Sequence, residues 1–220
     1  MLYSICAMGW GTVELEPEVR AWLEALPSTM FARAAFHIDL LADVGSLLGE
    51  PHTRQLDGKL RELRFYLDSN AFRVTYWIAS GAGSCCLLCS PRRGCGSGLR
   101  SSERGALWSA VSPSGIRPRR LVTMGERSDW SEIRDRRMQE PGAEEAYAAA
   151  RLAYQLGRAI RQMREDRGWS QTTLAQAAGM TQSAVARFEA GGTIPSLPVL
   201  ERLAGALDAD LVVEVKPRVA

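Results

Sequence analysis

Three polar residues in the last third of the chain, Gln182, Ser183 and Arg187, have the types and spacing needed to contact a DNA duplex. They alternate with apolar residues spaced three and four apart, the pattern of a helix with one buried face. Glutamine and serine at a helix N-terminus can hydrogen-bond to base edges in the major groove, and an arginine one turn later can bind a base or a flanking phosphate. The preceding residues must hold such a helix at the surface.

Those preceding residues predict a second short helix and a tight turn. Ser170 or Thr172 can cap the first helix, and Gly179 can adopt the positive φ that ends it. Thr181 can then cap the helix that follows. The pattern predicts a helix-turn-helix, and the stretch from Arg167 to Ser196 closely resembles the Cro/C1-type (XRE) family of bacterial DNA-binding domains.

The resemblance to this family assigns a role to each polar residue. It implies that Gln171, at the start of the first helix, faces a phosphate, and that Thr181 caps the second helix with a possible phosphate contact. Gln182 and Ser183 match base-contacting positions, and Arg187 matches a contact to backbone or base. The alternative is that all five are ordinary polar residues of a helix surface. The implied partner is double-stranded operator DNA, bound as an inverted repeat by a homodimer.

Further helices are predicted on both sides of this motif. Residues 128–140 predict a short helix, and an amphipathic helix runs from about Glu144 to Arg167. Its apolar stripe consists of Ala149, Leu152, Ala153, Leu156, Ile160 and Met163. A last helix follows Pro195-Ser196 and places Leu197, Leu200, Leu203 and Leu207 on one side. Asp210 to Lys216 predicts a strand that either pairs two copies across a dyad or covers one copy.

Helices followed by a Cro/C1 domain resemble a HigA-type antitoxin. This resemblance implies that the helices bind a toxin and that the domain represses a shared toxin–antitoxin operon. We therefore assign residues 124–155 to toxin-binding and linking helices and residues 156–216 to an all-α helix-turn-helix domain with a possible C-terminal strand.

The first eighty residues predict an α+β domain with two helices and antiparallel strands. The predicted elements are a strand from Trp10 to Leu15, a helix beginning at Pro17, a helix from Phe31 to Gly45, and two strands around the turn Asp68-Ser69-Asn70. The two strands alternate strictly and predict a hairpin with one apolar and one polar face. Arg64 and Arg73 lie on the polar face.

The stretch EPHTRQLDGKLRELRF, followed by FRVTYW, resembles the RelE/HigB-like toxin family over roughly residues 9–80. Members of that family are small ribonucleases that cleave mRNA, typically on the ribosome. The resemblance implies that Arg64 and Arg73 hold a phosphate, with Lys59 and Arg61 nearby. The alternative is that these arginines are solvated side chains on the outer face of a hairpin. We interpret His37 and His52, the only histidines, as surface or packing residues rather than catalytic ones.

Residues 81–123 differ in composition from both flanking regions. Their net charge is +6, against −3 for residues 1–80 and −1 for residues 124–220, and they show no sustained period. Four of the five cysteines lie between Cys85 and Cys95, and they form a single cluster with no nearby histidine. Structural zinc usually requires two paired ligand clusters, so we expect no metal and no other cofactor. We predict an irregular linker here.

The same segment permits a genetic interpretation. The segment can be back-translated into permitted codons and then read one nucleotide earlier. One allowed result contains a buried-strand sequence, IVLLTVF, shortly after Ser80. We therefore hypothesise that a toxin reading frame shifts near Ser80–Gly81, so that the hairpin lacks its third core strand. The loss would leave Phe65, Val74 and Ile78 poorly covered, and we expect the ribonuclease half to be inactive.

The sequence thus predicts a DNA-binding regulator joined to an incomplete toxin-like domain at residues 1–80. The alternatives are an active ribonuclease toxin and a toxin–antitoxin interaction module without either activity. Met8 and Met124 are alternative start sites. The chain has no run of about 18 apolar residues and no secretory signal pattern. We therefore expect a cytoplasmic, reducing location without membrane contact.

Overall fold

The computed structural model describes residues 10–68, 70–78, 84–87, 92–93 and 128–214, and for 84–87 and 92–93 it describes the backbone alone. The cysteine side chains, most of the predicted linker and both alternative start sites therefore lie outside the described residues. In this part of the chain, no helix is both long and apolar enough to span a membrane.

A mixed sheet forms the N-terminal half. Its strands are β1 (Thr12–Leu15), β2 (Thr53–Asp57), β3 (Leu60–Leu67), β4 (Asn70–Ile78), β5 (Ser84–Leu87), β6 (Arg92–Arg93) and β7 (Ser128–Asp129). The order across the sheet is β2-β3-β4-β5-β1-β7, with β6 also paired to β4. Only the β1–β5 pair is parallel among the strands described. The predicted hairpin is confirmed as β3 and β4, while β2 and β7 were not predicted.

Two helices cover one face of this sheet. Helix α1 (Pro17–Ala25) begins with proline, whose fixed φ suits a first helical position, and α2 spans Ser28–Val44. The alternation of β3 and β4 turns their apolar side chains toward these helices. The resulting core includes Leu63, Phe65, Leu67, Val74 and Tyr76, each at most 1% exposed. The opposite face of the sheet carries Arg64 and Arg73.

The prediction that the sheet lacks its third core strand is wrong. Strand β5 pairs with β4 in antiparallel register and with β1 in parallel register, so it fills the gap between them. Ladder hydrogen bonds join backbone groups and place few demands on side-chain type, so an irregular sequence can supply such a strand. Phe65 and Val74 are fully covered, because α1 and α2 already pack on that face. The predicted irregular linker is also wrong at β5 and β6.

Helix α3 (Trp130–Arg137) attaches through polar contacts to the N-terminal half, which we call toxin-like after its resemblance in sequence. Asp129 caps it by accepting from the Ser131 amide at 2.8 Å. The Arg137 guanidinium donates to the carbonyl oxygens of Leu23 at 2.6 Å and Leu26 at 2.7 Å, at the C-terminal end of α1. The last carbonyls of a helix lack partners within the helix itself, so Arg137 caps α1 from another element.

Helix α4 (Ala143–Asp166) packs along α2 and then continues into the C-terminal half. The predicted apolar stripe is right at Ala153 and Ile160 but wrong at Leu152, which is 47% exposed. The buried face instead consists of Ala143, Ala146, Ala150, Ala153, Gly157, Ile160 and Arg164. Small residues lie inward because they let the backbones of neighbouring helices approach closely, whereas the larger Leu152 would hold them apart.

The C-terminal half contains three further helices: α5 (Gln171–Ala177), α6 (Gln182–Glu189) and α7 (Leu197–Ala206). Their core includes Leu174, Val185, Phe188, Leu200 and Leu203. Two details differ from the sequence prediction. Leu197 is 54% exposed, and Asp210 to Glu214 form no strand. Every regular element described between residues 130 and 206 is a helix, so no strand edge is available there for pairing.

Candidate nucleic-acid interface

Side-chain caps and a glycine set the angle between α5 and α6. The Ser170 hydroxyl accepts from the Thr173 amide at 3.0 Å, and the Thr181 hydroxyl accepts from the Ala184 amide at 3.2 Å. Gly179 has a φ of +62°, the left-handed conformation that a residue with a side chain rarely adopts. Both predicted helix starts and the predicted turn are therefore confirmed, with Ser170 rather than Thr172 as the first cap.

The predicted DNA-contacting residues lie close together on one surface. Gln182 and Ser183 are exposed in the first turn of α6, and Arg187 is half-buried one turn later. The Gln182 side-chain amide donates to Gln171 Oε1 at 2.9 Å, which links the starts of the two helices. The Ser183 and Thr181 hydroxyl oxygens are 3.2 Å apart. The surface thus presents amide and hydroxyl groups that can donate and accept hydrogen bonds.

A buried ion pair supports this surface from below. Arg164 of α4 donates to both carboxylate oxygens of Glu189, at 2.6 and 2.9 Å, and the Glu189 side chain is 1% exposed. Gln171 also donates to Glu189, at 3.0 Å, so the polar contacts run from Arg164 to Gln182. The hydrogen bond to Glu189 raises the pKa of Arg164 above its usual value. Buried charges of this kind need such partners to offset desolvation.

Sequence reasoning missed both members of this pair, although a signal was present. Arg164 follows Ile160 by four residues, so it occupies the buried phase of α4. Glu189 directly follows the buried Phe188 at the end of α6. When each of two helices carries a charged residue at a position that its periodicity places on the buried face, the two charges are expected to form an ion pair. The alternative is that the buried face of a helix has been assigned wrongly.

We call α6 the recognition helix. Gly157 allows α4 to approach the C-terminal end of this helix. We predict that Gly157→Ala destabilises the protein by about 1–3 kcal/mol, because overpacking forces backbone movement. The added Cβ would lie 2.4 Å from the Phe188 carbonyl oxygen. Gly205→Ala in α7 is the matched control, since its Cβ meets nothing within 4 Å. Thermal unfolding should show a loss of stability for the first variant and none for the second; equal stability of the two would contradict the packing argument.

The polar face of the toxin-like sheet brings the two predicted phosphate-binding arginines together. Arg64 on β3 lies directly opposite Arg73 on β4. Glu62, which sequence reasoning did not assign, accepts from Arg64 at 2.6 Å and lies 4.0 Å from Arg73. The alternation along β3 places Arg61 on the opposite face from Arg64, and Arg61 donates to the Ser46 carbonyl oxygen at 3.0 Å. The arrangement can bind a phosphate by displacing Glu62 from one or both arginines.

The two histidines are packing residues, and both lie between α2, β3 and α4. The ring of His37 stacks on Phe65 with centroids 5.1 Å apart, and His52 packs against Tyr154 at 4.9 Å. Burial lowers the pKa of His37 to about 3 and that of His52 to about 4. Both rings are therefore neutral at physiological pH. The interpretation of these residues as packing histidines agrees with the structure.

A cavity of 160 Å³ marks the junction between the two halves. Its walls include Arg33 and His37 on α2, Tyr66 on β3 and the loop Gly191–Ile194 that follows the recognition helix. The loop therefore lies against the toxin-like sheet.

The caps, the turn glycine and the buried Val185 and Phe188 define a helix-turn-helix domain. Residues 155–215 match the family model described as "Helix-turn-helix domain", and residues 21–90 match the model described as "Phage derived protein Gp49-like". The chain thus combines a domain similar to the Gp49-like family with a helix-turn-helix domain similar to the XRE-like, Cro/C1 class.

One solved structure with sequence similarity is the restriction-modification controller protein C.AhdI from Aeromonas hydrophila. The match has 36% sequence identity, covers 26% of this chain and 88% of that chain, and has a TM-score of 0.26. No curated protein matches the chain significantly.

Proposed function

We propose that the protein is a sequence-specific transcriptional regulator of the antitoxin type, which represses a toxin–antitoxin operon. The observation that carries this proposal is the recognition helix, whose exposed Gln182 is held by the chain of contacts from Arg164 through Glu189 and Gln171. The neighbouring Ser183 is exposed beside it and contacts the Thr181 hydroxyl. A helix fixed in this way loses little conformational entropy on entering a major groove. Thr181 and Arg187 flank the base-contacting pair: Thr181 contacts the phosphate backbone, and Arg187 contacts the backbone or a base.

We further propose that α3 and α4 act as the toxin-binding helices, within the same chain. Contacts at Asp39 of α2 support this assignment. Its carboxylate accepts from Trp130 Nε1 at 2.7 Å, Arg134 Nε at 2.7 Å and the Tyr147 hydroxyl at 2.8 Å. One carboxylate of the toxin-like half thus receives donors from both helices.

The regulator binds an inverted repeat as a homodimer. Exposed apolar side chains on the DNA-binding domain support self-association, because such residues are usually covered in an assembly. They are Ile194, Leu197, Val212 and Val213, which are 50%, 54%, 83% and 62% exposed.

Replacing both Gln182 and Ser183 with alanine tests the assignment of the recognition helix. We expect specific binding to the native upstream DNA to weaken by about 1–3 kcal/mol for each side chain that reads a base, with little change on a shuffled duplex. Gln155→Ala, at an exposed position of α4, is the control and should bind as the wild type does. Electrophoretic mobility shift provides the measurement. Unchanged discrimination between the two duplexes would refute the assignment.

A ribonuclease is the second candidate function. Arg64 and Arg73 face one another with Glu62 between them, a combination that could hold a phosphate and accept a proton. We rank it second because both histidines are buried and the carboxylate is engaged by the arginines. Cleavage of an mRNA by the full chain, lost on Arg73→Ala, would support this function instead.

A further inference from the structure

The loop that follows the recognition helix contacts the toxin-like sheet at a glycine. A Cβ built on Gly192 would lie 2.7 Å from Cδ2 of Tyr66 and 2.9 Å from Cγ of Arg187. The Tyr66 ring on β3 and the Arg187 stem on the recognition helix therefore lie against the same residue. This contact places the C-terminal end of the recognition helix beside strand β3.

Tyr66 shares its phase on β3 with the paired arginines of the sheet. Side chains two residues apart on a strand point to the same face, so Tyr66, Arg64 and Glu62 form one row. Arg73 lies opposite Arg64, and Arg54 lies opposite Glu62. The row and its cross-strand neighbours contain Arg54, Arg64, Arg73 and Glu62, so their net charge is +2. The side chains of Arg64 and Arg73 are 28% and 50% exposed, so both are accessible to a ligand.

The helix-turn-helix domain itself supplies few cations for DNA. Outside the buried Arg164–Glu189 pair, residues 155–214 contain five arginines and six carboxylates, a net charge of −1. Two of those arginines are already engaged: Arg161 with Glu165 and the Glu50 carbonyl oxygen, and Arg167 with the Leu207 carbonyl oxygen. Affinity for duplex DNA comes largely from cations that neutralise phosphates. A DNA-binding surface built on this domain therefore needs positive charge from elsewhere.

We propose that the face formed by Arg64 and Arg73 binds the phosphate backbone of the duplex whose major groove the recognition helix enters. The contact of Tyr66 and Arg187 at Gly192 holds this face next to the groove-binding surface. Each planar guanidinium can bind a phosphate through two parallel hydrogen bonds. The inference rests on the proposed DNA-binding function and gives the toxin-like domain a part in it.

Salt dependence of DNA binding tests the proposal in the full-length protein. Arg64→Gln with Arg73→Gln should weaken binding equally to the native upstream duplex and to a shuffled one of the same length. It should also reduce the slope of log K against log salt by about 2, since each phosphate contact contributes about 0.9. Arg64→Lys with Arg73→Lys should keep the slope. Fluorescence anisotropy between about 50 and 200 mM salt measures these quantities.

The matched control removes the same charge on the other side of the sheet. Arg20 and Arg136 both pair with Glu24 of α1, a helix that packs on the apolar face. Arg20→Gln with Arg136→Gln should leave the salt slope unchanged. An unchanged slope for the Arg64 and Arg73 variant would overturn the proposal while leaving sequence-specific binding through Gln182 intact. A loss of affinity confined to single-stranded RNA would also overturn it, and a wild-type protein that binds no duplex would refute both proposals.

Discussion

Glu189→Ala is expected to lower the free energy of unfolding by about 3–5 kcal/mol and to abolish specific DNA binding. The substitution leaves Arg164, whose side chain is 9% exposed, without the carboxylate that accepts two of its hydrogen bonds. An uncompensated buried charge costs much more than the pair itself contributes. Gln171 loses the same acceptor, so the start of α5 also loses its tie to the end of the recognition helix. Urea denaturation and mobility shift measure the two effects.

Replacing both partners separates the loss of the pair from the cost of the stranded arginine. Arg164→Met with Glu189→Met fills the same space with apolar groups, and we expect it to recover most of the stability lost in Glu189→Ala. DNA affinity should recover less, because Gln171 still lacks its acceptor. A loss below about 1 kcal/mol for Glu189→Ala would show that the ion pair does not support the recognition helix.

Stability is expected to fall steeply between about pH 6.5 and pH 5 because of the two buried histidines. Burial lowers the pKa of His37 to about 3 and of His52 to about 4, from an ordinary value of 6.5. Well above that ordinary pKa, both histidines are neutral in the folded and the unfolded chain. As the pH falls through about 6.5 the unfolded chain binds protons that the folded protein excludes, and stability falls by up to about 1.4 kcal/mol per pH unit for each histidine. The loss continues until the folded pKa values are reached.

The sequence offers a clean control, since His37 and His52 are its only histidines. His37→Leu should remove about half of the pH dependence, and the double leucine variant should remove nearly all of it. The lowered pKa values of Glu24, Glu140 and Glu165 act below this range, since the ordinary pKa of a glutamate is 4.5. Urea midpoints at about pH 5, 6 and 7 give the measurement. A wild-type midpoint that stays constant over this range would contradict the assignment of neutral, buried rings.

Local patterns were sufficient to predict the DNA-binding motif. The positive φ at Gly179 and the hydroxyl caps Ser170 and Thr181 depend on neighbours within a few residues, so the sequence carries them directly. The hairpin was predictable for the same reason, since strict alternation specifies which side chains of β3 and β4 turn inward.

Contacts between distant segments were not predictable in this way. Strand β5 joins β1 and β4 through backbone hydrogen bonds, for which residues 84–87 show no characteristic pattern. The choice between Ala150 and Leu152 as the inward residue of α4 depends on how closely α2 approaches, a quantity that helical periodicity does not contain. The role of Asp39 likewise depends on Trp130, Arg134 and Tyr147, which are distant from it in the sequence.

The contacts at Asp39 join two segments of a single polypeptide, and this covalent connection changes what a mutation can achieve. Tethered surfaces meet at an effective concentration on the order of 1 mM. An interface whose separated halves would bind with a Kd of about 1 μM is then closed about a thousand times more often than it is open. Weakening it about tenfold still leaves only about one molecule in a hundred open. Both halves are also made in equal numbers by each round of translation, so neither can accumulate without the other.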